Sequence, residues 1–236
     1  MFAWLKTVEE FILDLLFPPS CISCGKQGTY LCYDCLSLIE ILEYQYCPVC
    51  KKRILYPDYI RKTSKILPGT CKTCKTETSL DGLYAACPYQ NRIVSRAIKL
   101  FERIRELSDP LADLIIAHFE MSNQMPKDFI VTYIPLLPRE IKEQGFSRSE
   151  LIALSLSEKL NLPFKKDVLT KIFPQTSFKE NILKDTFKVK DEKRIKDKKI
   201  LLVNDLYSTG SIMNECARAL KEAGAKEVWG TVTARE

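Results

Sequence analysis

The sequence predicts an α/β protein: a parallel-sheet domain preceded by a small Cys-rich zinc-ribbon domain. Two observations carry this expectation. Eight of the ten Cys stand in four C-x-x-C pairs, all within the first 74 residues. Residues 199–232 read as strand, loop, helix and strand, which is how a parallel sheet and its crossover helix are written. The boundary is placed between residues 80 and 81, giving a segment 1–80 with an N-terminal helix and two ribbons, and a sheet domain 81–236.

The first element is a helix. Phe2, Trp4, Leu5, Val8, Phe11, Ile12, Leu15 and Leu16 form an apolar stripe that ends at Pro18-Pro19. No apolar run approaches the ~20 residues of a membrane helix, so no membrane span is expected. The opening stretch carries Glu9, Glu10 and Asp14 and lacks the basic start and small-residue end of a secretory signal, which points to the cytoplasm. His118 is the single His, which disfavours His-based catalysis, and it receives no role.

The pairs Cys21/Cys24, Cys32/Cys35, Cys47/Cys50 and Cys71/Cys74 follow. C-x-x-C closes a turn whose two thiolates reach one ion, and two such turns make the tetrahedral Cys₄ site that Zn²⁺ prefers. Four pairs imply two structural zincs. Disulfides are disfavoured in a reducing compartment, and a thioredoxin-like redox pair would stand alone near a βαβ pattern. Sequential pairing, 21/24/32/35 and 47/50/71/74, is preferred over crossed pairing because each loop then closes locally. Metal supplies folding energy to a segment with so little apolar core of its own. Cys87 and Cys216 read as buried core thiols.

Beyond Cys87 the pattern changes. Ile93, Val94, Ala97, Ile98, Phe101 and Ile104 mark an amphipathic helix, and Ser108-Asp109-Pro110 opens a second one through Leu111, Leu114, Ile115 and Phe119. Phe129–Ile134 is a buried strand. Ser147-Arg-Ser-Glu150 is a capping box for a helix reaching Leu160. Lys199–Val203 is another strand, Ile212–Ala223 a helix stopped by Gly224, and Val228–Val232 the last strand.

The loop 204–211 leaves the C-terminal end of a strand and enters a helix N-terminus, where open α/β sheets bind ligands and where backbone N–H groups favour phosphate. Asn204, Asp205, Ser208, Thr209, Gly210 and Ser211 are its candidate binding residues for a phosphorylated ligand. The hydroxyls of Thr209 and Ser211 can donate to phosphate, Gly210 can adopt positive φ, and Asp205 can accept from sugar hydroxyls or support a metal.

The formal net charge is +6. Eight zinc-bound thiolates and two Zn²⁺ would lower it to about +2, so position matters more than the sum. Residues 47–75 hold 8 basic residues against one acid, Asp58, and residues 165–199 hold 12 against 6. Within the first segment Lys51, Lys52, Arg53, Tyr56, Arg61 and Lys62 are candidates for single-stranded DNA, the cations tracking phosphates and the aromatic ring stacking on bases.

Several segments together resemble one family. The loop is similar to the phosphoribosyl-pyrophosphate loop of type I phosphoribosyltransferases. Phe17-Pro-Pro-Ser-Cys-Ile-Ser-Cys-Gly25 precedes the knuckles, and Tyr89 and Ile98-Lys99 follow them. Ile134-Pro-Leu-Leu-Pro138 precedes Gly145-Phe146, and Gln175-Thr176 precedes Asn181 and Phe187. In that order they resemble the ComF family of competence-associated proteins, a double zinc ribbon joined to a type I phosphoribosyltransferase-like domain. The resemblance implies a cytoplasmic role in DNA uptake and natural transformation, handling of incoming single-stranded DNA, partnership with other DNA-uptake proteins, and binding of phosphoribosyl pyrophosphate with Mg²⁺.

The chain departs from the family at four places. Asn204 replaces the first loop acid, Ile212 replaces the last loop Thr, Gln144 stands where Arg usually precedes Gly-Phe, and Ser147-Arg148 stand where Asn-Gln usually follow. An unpaired polar partner costs ~1–3 kcal/mol, so two lost contacts amount to about two orders of magnitude in affinity, and turnover is expected to be poor. The expected function is therefore DNA handling with a degenerate phosphate loop. The alternative is an active phosphoribosyltransferase of unknown acceptor.

Overall fold

The computed structural model describes residues 18–54, 69–172 and 185–236. The N-terminal helix, Tyr56, Arg61, Lys62, Gln175-Thr176 and Asn181 lie outside them.

A single turn of helix, α1 (Tyr33–Leu36), opens on the second Cys of the first ribbon's inner pair. The sheet domain then runs β1 (Gly82–Pro88), α2 (Arg92–Leu100), α3 (Ser108–Met121), β2 (Phe129–Tyr133), α4 (Pro138–Gln144), α5 (Arg148–Leu160), β3 (Leu169–Lys171), β4 (Phe187–Val189), β5 (Lys199–Tyr207), α6 (Ser211–Glu222) and β6 (Glu227–Arg235). Four strands form a wholly parallel sheet in the order β1-β6-β5-β2. β3 and β4 pair antiparallel as a separate hairpin.

Every residue of β2 is buried, and β6 is buried between its two end residues, as strands covered on both faces require. The pleat sorts their side chains. Tyr84, Ala86, Val131, Leu201, Val203 and Trp229 join one core with α3 and α5. Leu83, Ala85, Ile130, Ile200, Leu202 and Val228 join the other, with Met213, Cys216, Ala217 and Leu220 of α6. Cys87 and Cys216 are fully buried in these cores, as their isolation in sequence predicts.

The first ribbon does not stand apart from the sheet. Cys21, Ile22, Leu31, Cys32, Cys35 and Ile39 belong to the same core as Tyr84, Val94 and Phe119. Leu42 donates its N–H to Ala86 O on the edge of β1 and accepts at its own carbonyl from His118 Nδ1, so the linker between the ribbons is held at both groups. The neutral His118 ring, buried on α3, donates through Nδ1, and burial holds its pKa below the ordinary value despite that bond. At the far edge of the linker Gln45 Nε2 reaches Gln124 Oε1 at 2.6 Å.

Six features differ from what the sequence leads one to expect. β1 falls where no strand was expected, since its run is apolar throughout and abuts the Cys-rich segment. α4 and the β3–β4 hairpin were not expected either, because each is short. Ser108 lies inside α3 rather than capping it; a 3₁₀ turn at Arg105–Leu107 leads in, and Asp109 accepts instead from Ser155 Oγ of α5 at 2.5 Å. β5 runs through Tyr207, four residues past the expected end, because β6 keeps pairing with it as far as Tyr207 opposite Arg235. Asn204 and Asp205 are thus strand residues, and the connection to α6 is only Ser208–Gly210. The capping box at Ser147 is half formed: Ser147 Oγ accepts from Glu150 N at 3.4 Å.

Candidate functional site

The four knuckles assemble in sequence order. Cys21, Cys24, Cys32 and Cys35 form one tetrad and Cys47, Cys50, Cys71 and Cys74 the other, with the sulfurs of each within 4.8 Å of one another. Cys24 and Cys32 Sγ are 3.6 Å apart and Cys50 and Cys71 Sγ 3.9 Å, the spacing that a tetrahedron of Zn–S bonds near 2.3 Å demands, about 3.8 Å. The donors suit a cation chemically as well. Burial opposes charge on Cys21 and Cys47, but backbone N–H groups, of Cys24 and Cys32 in one case and Cys71 and Cys50 in the other, outweigh it and hold these thiols at about 6 and about 7. Cys74 is pushed up to about 12 by its bond to Cys71 and by burial. A zinc ion must displace such protons, and the site's affinity falls with pH accordingly.

The second centre of interest lies at the C-terminal edge of the sheet, where open α/β sheets bind ligands. A solvent-open cleft of about 570 Å³ is lined by Gln144, Arg148, Ser149, Lys171, Phe187, Asn204, Asp205 and Ile212 among others. Asp205 is 5% exposed. Its Oδ1 accepts from Leu206 N at 3.0 Å, and its Oδ2 faces Arg148 Nη1 at 3.1 Å without an aligned hydrogen bond. Burial raises the Asp205 pKa, and the Arg148 guanidinium opposes the rise. Asn204 Nδ2 donates to Leu206 O. Lys171, nearly buried, is paired with Glu140 of α4 at 2.8 Å.

Gly210 begins α6 at φ +78°, and a Cβ there would collide with the Tyr207 ring and hydroxyl. Thr209 Oγ1 and Ser211 Oγ lie 3.1 Å apart at the free N-terminus of α6. A helix N-terminus with two hydroxyls beside a buried carboxylate, one oxygen of which has no aligned hydrogen bond, is suited to a molecule carrying both phosphate and hydroxyl groups. It is not suited to a divalent cation held by protein. Among the described residues lining the cleft, Asp205 is the sole carboxylate and already faces a guanidinium, whereas Mg²⁺ needs hard oxygen ligands in near-octahedral array.

Three comparisons bear on this architecture. The family model described as "Double zinc ribbon domain" matches residues 12–75. The chain is 28% identical to "Competence protein ComFC" of Streptococcus pneumoniae (strain ATCC BAA-255 / R6), over 95% of this chain and 93% of that one. It is 22% identical to "Competence protein F" of Haemophilus influenzae (strain ATCC 51907 / DSM 11121 / KW20 / Rd), over 87% and 97%. The chain is thus similar, over most of its length, to proteins named as competence proteins. A further relative is "DNA utilization protein YhgH" of Escherichia coli (strain K12), 24% identical over 84% of this chain and 95% of that one. A purine phosphoribosyltransferase from Pyrococcus horikoshii Ot3 aligns with 65% of this chain and 87% of its own at 18% identity; the TM-score of 0.29 is too low to carry weight by itself.

The expected cleft residues divide. Asn204 and Asp205 line the cleft, while Ser208, Thr209, Gly210 and Ser211 form the turn and first residue of α6 beside it. Lys51, Lys52 and Arg53 are exposed on the second ribbon. Arg53 stacks over the Tyr44 ring, so its cation is partly engaged.

Two sets of residues escaped the sequence reading. Arg148 and Lys171 stand in the cleft, drawn there by the chain's return from β2 and by the hairpin. Arg92, Arg96, Lys99 and Arg103 form an exposed cationic stripe along α2 and its last turn, and none is ion-paired with a described acid. Their i, i+4, i+7, i+11 spacing puts them on one helical face, a signal present in the sequence but submerged when charge is summed over residues 1–164, which carry 20 basic residues against 19 acids. α2 starts three residues after Tyr89, whose N–H bonds Arg235 O, while Arg235 Nη2 reaches Lys51 O at 3.4 Å. The start of α2 and the second ribbon are thus both tied to the end of β6. Glu102, at the end of α2, reaches Arg148 at 3.6 Å and links that helix to the cleft.

Among the described residues no helix is long and apolar enough to cross a membrane.

Proposed function

We propose that this protein handles single-stranded DNA in the cytoplasm, in DNA uptake or DNA utilisation as its relatives are named, and that the cleft binds a phosphorylated sugar or nucleotide rather than turning it over. The observation that carries the reading is the exposed cationic stripe Arg92, Arg96, Lys99 and Arg103, ion-paired with no described acid, together with the exposed cations of the second ribbon. A flexible polyanion is the partner that a row of solvated cations suits, through release of its counterions. The buried Asp205 carboxylate, whose Oδ2 meets Arg148 without an aligned hydrogen bond, supports the sugar-phosphate part, and its being the lone carboxylate among the described cleft-lining residues argues against metal-assisted chemistry.

Fluorescence anisotropy with labelled single-stranded DNA tests the first part. Affinity should fall steeply with salt, and R96E combined with K99E should weaken binding at least tenfold and flatten the salt slope, with zinc content unchanged. Binding that is indifferent to salt, or to both substitutions, would refute it. Titration calorimetry with phosphoribosyl pyrophosphate, with and without Mg²⁺, tests the second. Heat of binding that survives D205A would move the ligand elsewhere.

A further inference from the structure

The second zinc site and the turn entering α6 are joined at two points. Tyr207, the last residue of β5, donates its hydroxyl to Pro48 O at 2.9 Å, in a buried contact. Pro48 lies inside the Cys47–Cys50 knuckle. Asn214, in the first turn of α6, accepts through Oδ1 from Ser79 N at 2.7 Å and Thr78 Oγ1 at 2.8 Å. Thr78 and Ser79 lie on the segment leaving the Cys71–Cys74 knuckle. The two knuckles are the halves of one Cys₄ site. Each half therefore holds one side of the turn: Tyr207 precedes Ser208-Thr209-Gly210, and Asn214 follows it, its own N–H bonded to Gly210 O at 2.8 Å.

The turn has little freedom to move without disturbing these bonds. Gly210 sits directly over the Tyr207 ring, with no room even for a methyl group. Tyr207 is buried, and burial, with the Cys47 sulfur close by, pushes its hydroxyl up to about 12, so it remains a donor. Arg235 reinforces the same junction, lying over the Tyr46 ring at 4.2 Å and donating to Lys51 O. The first zinc site has no comparable bond to this turn among the described residues.

We propose that Tyr207 and Asn214 couple the second zinc site to the Ser208–Ser211 turn: zinc, by holding the two knuckles together, fixes the turn, and the turn in its bound shape helps retain the zinc. The reciprocity is obligatory, because a coupling between two binding equilibria has one value whichever ligand is added first. Tyr207 and Asn214 are positioning residues in this scheme, touching neither metal nor ligand. The part concerning ligand rests on the sugar-phosphate reading of the cleft; the part concerning zinc does not.

The experiment follows zinc loss from the full-length, zinc-loaded protein to an excess of chelator. Cysteine alkylation with mass-spectrometric readout separates the thiols of the second site from those of the first. Y207F keeps the ring under Gly210 and removes only the bond to Pro48. N214A removes the acceptor, and N214D restores it. Y207F should speed alkylation of Cys47, Cys50, Cys71 and Cys74 by about threefold to tenfold, the ordinary effect of one lost neutral hydrogen bond, and N214A, which removes two, by at least as much. N214D should restore the rate, and the first site should be unchanged throughout. An unaltered second-site rate in both variants, or equal acceleration at both sites, overturns the coupling. A second arm adds inorganic phosphate or phosphoribosyl pyrophosphate to the unsubstituted protein. Slower zinc loss at the second site alone supports both readings, and the more effective probe identifies the source of the phosphate. If the substitutions act but neither probe protects, the coupling stands and the sugar-phosphate reading falls.

Discussion

Asp205 shows how a single side chain sets a conflict between stability and binding. Its carboxyl is raised above its ordinary range by burial, only partly countered by Arg148. A group raised in this way binds protons more readily folded than unfolded, so the folded state is favoured at low pH. That advantage is lost as pH rises from the ordinary Asp value of about 3.9 toward the raised one. D205N should therefore raise the melting temperature at pH 7, read by calorimetry, while abolishing phosphoribosyl pyrophosphate binding. R148A should do the opposite: it strands a buried carboxylate and should cost about 2 kcal/mol in urea unfolding at pH 7, recovering as pH falls and Asp205 protonates. The acid was legible in the sequence from its place after a strand. Its partner was not, because Arg148 comes from 57 positions upstream by sequence number, and only the return from β2 into α5 brings it across the cleft.

At the scale of the element, the turn between β5 and α6 depends on Gly210. Its positive φ and the Tyr207 ring beneath it exclude a side chain for separate reasons. G210A should destabilise the protein by about 1–3 kcal/mol, measured as a shift of urea midpoint with unchanged slope. The sequence identified this Gly, since a Thr-Gly before an amphipathic helix is a local signal. It misplaced the end of β5, because strand length is decided by the partner: β6 lies 20 or more residues downstream and pairs out to Arg235. β1 was hidden for a related reason. A strand buried on both faces has no alternation to read, and only pairing with β6 distinguishes Gly82–Pro88 from a coil. The zinc tetrads were legible in full, because C-x-x-C spacing is set by the ion and not by tertiary packing.

Across the whole molecule, the first ribbon and the sheet share one apolar core, so metal and fold should be lost together. Chelation should lower the melting temperature of the entire protein in one transition rather than melt a ribbon alone; a separate low-temperature transition, with the remainder unaffected, would show the two as independent. Acidification should act on the same junction. The pKa of His118 is lowered in the folded protein, so the unfolded chain takes up the proton first. Its contribution to stability is complete above about pH 6.5 and declines as pH falls below that. H118Q should flatten this part of the stability profile, measured by chemical denaturation between pH 5 and pH 7 on zinc-loaded protein. The linker held by His118 also bears on solubility. β1 is an edge of the parallel sheet, and exposed edges recruit strands from other molecules. Here the N–H of Leu42 occupies the carbonyl of Ala86, and the linker that supplies it is suspended between the two zinc sites. A cell short of zinc would thus lose more than two small ribbons: it would free the Ala86 carbonyl at the sheet's edge, and self-association is the expected form of the protein's failure, read as a rise in light scattering on chelation.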